Sequence, residues 1–231
     1  NEATNNNNVT NNNINNNNLD NNNYSEDWYS TAIGIASTEG PGDDNEYDIV
    51  HIQNIYDNKL SSFTYNNYLK NYDPNANEIT LEEHINQGAS TLFYCGHGTS
   101  FSFNTTNFDI YNINKLNNGD RLPFIVACAC HVGAFHIEND CFAEKWLKKE
   151  NGGAILTLMS TISQPWRPPM RGQDYFYDIL IGGYNYDNYS GQNGINTNEQ
   201  RTTWGAITLN SFNLMLTESQ LSNDINTVHT W

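Results

Sequence analysis

"FIVACACHVGAF", residues 124–135, runs apolar without alternation and then breaks into Cys, His and Gly. Extended back to Leu122, such a run predicts a strand covered on both faces, as in a parallel sheet held between helix layers. "STAIGIAS" (30–37), "STLFY" (90–94) and "AILTLMS" (154–160) have the same character. Helical segments fall between them, at about 49–60, 77–88 and 141–150. In "NEITLEEHINQG" (77–88) the pattern predicts a capping box of Thr80 and Glu83 and a stop at Gly88. Alternation of strand and helix predicts an α/β fold, a three-layer sandwich with a mostly parallel sheet and helices on both faces. A chain of 231 residues can bury one such core without disulfides or metals.

Ligands of open parallel sheets bind beyond the carboxyl ends of the strands. "EGPG" from Glu39, "CGHG" from Cys95, "CHVG" from Cys130 and "STISQPW" from Ser160 all follow strands, so topology brings four segments to one edge. Cys128 and Cys130 are two apart and share one side of an extended chain. Cys128 is still inside the apolar run, whereas Cys130 stands where polar residues begin, at the rim. A thiol attacks as the thiolate and needs a base nearby. His97, between Gly96 and Gly98, could supply that base from the neighbouring strand end, with the Gly98 and Cys130 N–H groups as an oxyanion hole.

Other readings stay open on the residues alone. His97 is also an ordinary turn histidine, and Cys130 a small packed hydrophobe. Cys128, Cys130, His131, His136 and Cys141 could hold zinc, although the tight C-x-C spacing is unlike the usual separated pairs. In the acidic loop "TEGPGDDNEYD" (38–48), Glu39, Asp43, Asp44, Glu46 and Asp48 read as solvated charge, as Ca²⁺ ligands, or as two working carboxylates. In the last case one orients a histidine and another recognises a cationic substrate group.

Ten Lys and Arg against 26 Asp and Glu give a net charge of −16, which repels nucleic acid and anionic membranes and favours cationic peptides or Ca²⁺. Four cysteines, three of them within 14 residues, do not make a disulfide framework. No apolar run is long enough for a transmembrane helix, so no membrane insertion is expected. The start lacks the charged and apolar regions of a signal peptide, as expected of a fragment or processed form. Residues 1–23 are mostly Asn and read as a low-complexity tail; the globular pattern begins at Trp28, giving a tail over 1–27 and one domain over 28–231.

Several stretches together resemble the catalytic domain of the gingipains, cysteine endopeptidases of family C25 with a caspase-like fold. They are "GHGTS" (96–100), "LPFIVACACHVGAF" (122–135), "CFAE" (141–144), "STISQPWRPPMRGQD" (160–174) and "TTWGAITLNSF" (202–212). The family pattern has Gly third, Phe fifth and "CFAE" from the eleventh position after its nucleophile. Counted from Cys130 these fall on Gly133, Phe135 and Cys141; counted from Cys128 none fits. The resemblance therefore implies Cys130 as nucleophile, His97 as its histidine and Glu39 as the acid that orients it.

It further implies a pocket for the substrate side chain before the scissile bond, P1, with Asp48 reading its cation, Trp166 covering it, and Gln164 and Met170 at its walls. Lys-specific relatives carry an Asp shortly after that Trp, where this chain has Arg167, Pro168 and Pro169, so Arg is favoured over Lys. The expected activity is that of a secreted or cell-surface endopeptidase acting on proteins or peptides with Arg or Lys. No cofactor is required for the chemistry. A structural Ca²⁺ is implied, with Asp43, Asp44 and Glu46 as its candidate ligands. The family's N-terminal subdomain has no counterpart here, so a missing subdomain or a propeptide is an expected partner. The rival of a different class is a catalytically inactive caspase-like binding module.

Overall fold

The computed structural model describes residues 26–182 and 202–221. The Asn-rich segment and most of the expected tail lie outside them. The described chain runs β1 (Thr31–Ala36), α1 (Asp48–Asn58), β2 (Asn67–Tyr72), α2 (Glu78–Gln87), β3 (Thr91–Cys95), β4 (Gly98–Thr99), β5 (Ser102–Phe103), β6 (Phe108–Asp109), α3 (Ile110–Lys115), β7 (Phe124–Cys128), α4 (Phe142–Lys148), β8 (Leu156–Met159), α5 (Arg167–Leu180) and α6 (Trp204–Leu221). Five strands form one sheet in the order β2-β1-β3-β7-β8, and β4-β5-β6 form a small second sheet. Every pairing in the large sheet is parallel.

The apolar runs form these strands because both faces of the sheet are covered. β1 and β3 are buried at every position. On one face Leu81 and Ile85 of α2, Ile113 of α3 and Phe142 and Trp146 of α4 pack on Ile33, Leu92, Tyr94 and Ile125. On the other, Ile52 and Ile55 of α1, Phe176 and Tyr177 of α5 and Leu214 of α6 pack on Ala32, Phe93 and Val126. Each large apolar side chain buried in these layers is worth roughly 1.5–3 kcal/mol relative to exposure. The expected α/β sandwich is the observed one.

Two details differ from the sequence reading. The cap of α2 is Asn77, whose side chain accepts from the Thr80 N–H; Thr80 lies inside the helix, so the expected Thr80 box is one turn late. Gly88 does end α2, at φ 101°, a conformation favouring glycine. The strand β2, "NYLKNY", was not expected, because as an edge strand it keeps polar residues and is only partly buried.

Candidate active site

β3 and β7 run side by side in register, with Cys95 opposite Cys128, and their ends set the site. Beyond Cys128 the chain is fastened to residues 160–164. Ala129 N–H donates to Gln164 Oε1 (2.8 Å), His131 N–H to the Ile162 carbonyl (3.0 Å) and Gly133 N–H to the Ser160 carbonyl (2.7 Å). The turn this forces puts His131 at φ 61° and its ring on Ser163 Oγ (3.0 Å). Cys130 is left half-buried at the rim while Cys128 is buried.

The Cys130 sulfur accepts from the Gln164 N–H (3.2 Å) and lies 3.5 Å from the Gln164 carbonyl. No hydrogen bond joins it to His97 among the described residues. His97 is exposed on the neighbouring strand end. Its carbonyl is held by Tyr94 Oη (2.6 Å) and Asn104 N–H (3.0 Å), and its ring stands edge-on to Trp166, centroids 5.1 Å apart. Both residues line one cavity with Cys95, Gly96, Cys128, Ala129, Gln164, Pro165 and Trp166. Gly98 faces the nucleophile loop so closely that a Cβ there would meet Val132, Ala129 and the Cys130 carbonyl within about 3 Å. The two expected oxyanion donors are thereby neighbours.

The other three thiols are buried. Burial pushes Cys95 well above the ordinary thiol range, with Cys128 and Asp48 adding to it. Burial likewise raises Cys128 and Cys141. Cys95 thus stays protonated and donates its S–H to Asp48 Oδ1 (3.3 Å).

Asp48 opens α1 and is fully buried. Ser37 Oγ donates to its Oδ2 and the Trp166 indole N–H to its Oδ1, at 2.5 and 2.6 Å. Ser37 was not singled out from sequence, and Cys95 stood out only as a thiol just before "GHG", with no role toward Asp48. Met170 is buried behind this wall, its sulfur and the Trp166 ring both converging on Gly42, where a Cβ would lie 2.2 Å from Met170 Sδ and 3.2 Å from Trp166 Cδ1. Gln164 keeps its Nε2 buried without a partner, so the pocket holds one spare donor.

Other expectations are not met. Glu39 is exposed and makes no side-chain bond to His97; its backbone N–H reaches Ser37 Oγ and its carbonyl accepts from the Asp48 N–H. The carboxylates of the acidic loop are spread over different partners. Asp43 is committed to Arg171 (2.8 Å), Glu46 to His51 (3.4 Å) and Asn54 (2.5 Å), and Asp44 is exposed. Among the described residues no three His, Cys, Asp or Glu side chains gather to hold a metal. The zinc set is equally dispersed: Cys128 and Cys141 are buried in opposite core layers and His131 is on Ser163.

"PMRGQD" (169–174) is an anchoring segment. Arg171 pairs with Asp43, Gln173 Nε2 donates to the Val126 and Tyr94 carbonyls (2.9 and 3.2 Å), and Asp174 holds Lys59 (2.9 Å). Gln173 Oε1 also lies 2.9 Å from His51 Nε2. "CFAE" works similarly: Glu144 reaches back to the Cys141 N–H (3.0 Å), while Phe142 and Ala143 N–H groups bond Ser100 and Val132 carbonyls on the two loops that carry the site.

Known proteins resemble this chain in sequence and in fold. The model of peptidase family C25 matches residues 1–231. Gingipain R2 of Porphyromonas gingivalis is 33% identical over 195 residues, 82% of this chain and 25% of that protein. Gingipain R1 of the same organism is also 33% identical, with 18% of its length covered. The crystal structure of the Arg-specific cysteine proteinase gingipain R superposes with a TM-score of 0.78 at 32% identity, covering 90% of this chain and 46% of that one. A complex of gingipain pro- and mature domains gives 0.76 at 30% identity. The chain spans a quarter or less of the curated relatives and about half of the solved ones.

Proposed function

The chain belongs to peptidase family C25, and from that premise we propose that it is a cysteine endopeptidase cutting after a basic P1 residue, Arg in preference to Lys. The observation that carries the reading is the convergence of one half-buried thiol, Cys130, and one exposed imidazole, His97, on a cavity whose wall conceals a carboxylate, Asp48. A neutral-wall pocket would not select a cation.

In this reading the Cys130 sulfur attacks the scissile carbonyl and the Gly98 and Cys130 N–H groups receive the oxyanion. In the resting state the sulfur bonds Gln164 and not His97; as the substrate binds, the imidazole takes the thiol proton, so that the thiolate attacks, and then passes that proton to the leaving amine. Water then releases the acyl group with His97 as base. Trp166 stands edge-on to the imidazole ring and the hairpin β4-β5 fixes its backbone; among the described residues Glu39 makes no hydrogen bond to it. Gln164 Nε2 is free to donate to the substrate.

The surrounding biology follows the same premise. A solved relative is described as a complex of pro- and mature domains, so a propeptide or second subdomain is the natural partner of a chain covering about half of that structure. Location outside the cell or on its surface suits a peptidase of this kind; no described helix is long and apolar enough to cross a membrane. Hydrolysis of matched arginyl and lysyl fluorogenic peptides, with Cys130→Ala as control, tests class and preference together. Equal uptake of an arginyl chloromethyl ketone by wild type and Cys130→Ala would instead favour the inactive binding module.

A further inference from the structure

Asp48, Met170 and Trp166 lie with α1 and α5 on one face of the sheet. On the opposite face, which carries Phe103, Phe108 and Phe142, a groove of ≈ 770 Å³ opens between the hairpin β4-β5, the start of α3 and the loop that leads from Cys130 into α4. Its walls are tied together by backbone: the Ile110 N–H donates to the Phe101 carbonyl (3.0 Å) and the Phe142 N–H to the Ser100 carbonyl (2.7 Å). Phe101 and Tyr111 are exposed in the groove, and apolar surface rimmed by polar residues marks an interaction site. Of the carboxylates around it, Asp140 is held by Lys145 and Lys148 and Asp109 caps α3 through Oδ1. Glu138 lines the same groove, exposed, with no hydrogen bond or ion pair among the described residues.

We propose that this groove is a second substrate subsite, which takes a Lys or Arg side chain on the departing side of the scissile bond. The proposal rests on the peptidase reading above and extends it beyond the P1 pocket. In that reading His97 hands a proton to the leaving amine, so the departing segment lies on the His97 side, and the hairpin that follows His97 carries Phe101. Four residues of chain span at most about 14 Å, which puts Phe101 within reach of roughly the third to fifth substrate residue after the cut, at about 3.3 Å each. A long basic side chain suits the walls. Its apolar stem can lie along Tyr111 and Phe101 while its charged head meets their ring faces and the Glu138 carboxylate. The net charge of −16 draws the same cation and repels an acidic residue in its place. The substrate class narrows accordingly to chains with a further basic residue shortly downstream of the one at which they are cut.

The test measures kcat/KM of the full chain on quenched-fluorescent peptides with arginine at P1, in which one lysine, norleucine or glutamate is moved through the second to sixth positions after the cut. At the best position lysine is expected to exceed norleucine about fivefold, the scale of one exposed ion pair with a cation–π contact, and the advantage should shrink as salt is raised. Glu138→Gln should remove most of that advantage, and Glu138→Lys should reverse it so that glutamate becomes preferred over lysine. Thermal unfolding checks that both variants are folded, as substitutions of an exposed side chain usually are. Rates that ignore the downstream residue, as they would if a second subdomain covered the groove, overturn the inference. So does a lysine preference that survives Glu138→Lys. Cleavage of short arginyl and lysyl peptides by wild type separates these results from a failure of the peptidase reading itself: if neither is cut, that reading falls and the subsite with it.

Discussion

Arg171 Nε lies 2.8 Å from Asp43 Oδ1, and both side chains are less than a tenth exposed. Glu218 shares the same guanidinium at 3.4 Å and also accepts from Tyr175 Oη. One buried cation thus ties α5 to the acidic loop and to α6. Removing one partner of a buried pair leaves the other charge uncompensated and costs about 3–5 kcal/mol. Arg171→Ala is expected to lose that much in urea unfolding, and Arg171→Met with Asp43→Leu to regain most of it. An Arg171→Ala protein as stable as wild type would remove the pair from the account of the fold.

Burial holds the Asp43 carboxyl up to about 6, outweighing the attraction of Arg171, with Glu218 adding to the rise. A carboxyl raised in the folded state binds its proton more tightly there than in the unfolded chain. The stability it adds is present in full below the ordinary value of 3.8 and is lost as pH rises through about 6. Unfolding free energy should fall over that window, and Asp43→Asn should flatten this part of the profile. An identical slope in the variant would contradict it.

His51 behaves similarly in a higher window. Burial disfavours its charge, but Asp174, Glu46 and Gln173 together outweigh burial and raise it above 6.5. Its contribution is complete below 6.5 and disappears as pH climbs through the raised folded value. Thermal unfolding followed from neutral to alkaline pH should show a decline that His51→Gln lacks.

Cys130 is the one half-buried thiol. Iodoacetamide under native conditions should modify it first, with loss of activity, while Cys95, Cys128 and Cys141 react only on unfolding. Peptide mapping that found Cys128 labelled ahead of Cys130 would reverse the assignment of the nucleophile.

Gly133 sits where a Cβ would come within 2.6 Å of the Met159 carbonyl, and backbone cannot yield as a side chain can. Gly133→Ala should displace the Cys130 loop and reduce kcat by about 100-fold, the scale of an ångström of misplacement at a reacting centre. Its KM should change far less, since Asp48 and Trp166 stand on other segments. Kinetics with unchanged kcat would show that the loop tolerates the shift.

The sheet was largely legible because strands buried on both faces announce themselves as unbroken apolar runs, as β1, β3, β7 and β8 do. β2 was silent because an edge strand needs no such run. Cys130 was placed correctly at the rim by the point where polarity begins, and the register to Gly133 now has its steric reason against Met159. What the sequence could not display were pairings without local pattern: His51 meets Gln173 across 122 residues, and Asp43 meets Arg171. Those contacts withdrew Asp43 and Glu46 from the expected cation site. Glu39 was placed on His97 by likeness alone; in the structure it is exposed and its backbone bonds Ser37 and Asp48.

The Asp48 carboxylate rides on the first turn of α1, braced by Ser37 and Cys95, while Cys130 follows β7 and is braced by residues 160–164. In the proposed peptidase, recognition and attack are therefore mounted largely on separate supports, which meet at Trp166, at Gln164 and at the end of β3 that carries both Cys95 and His97. A designer could recast the preferred side chain by rewriting positions 37, 48 and 95 and leave the attacking sulfur undisturbed, a freedom absent from sites in which one loop performs both tasks.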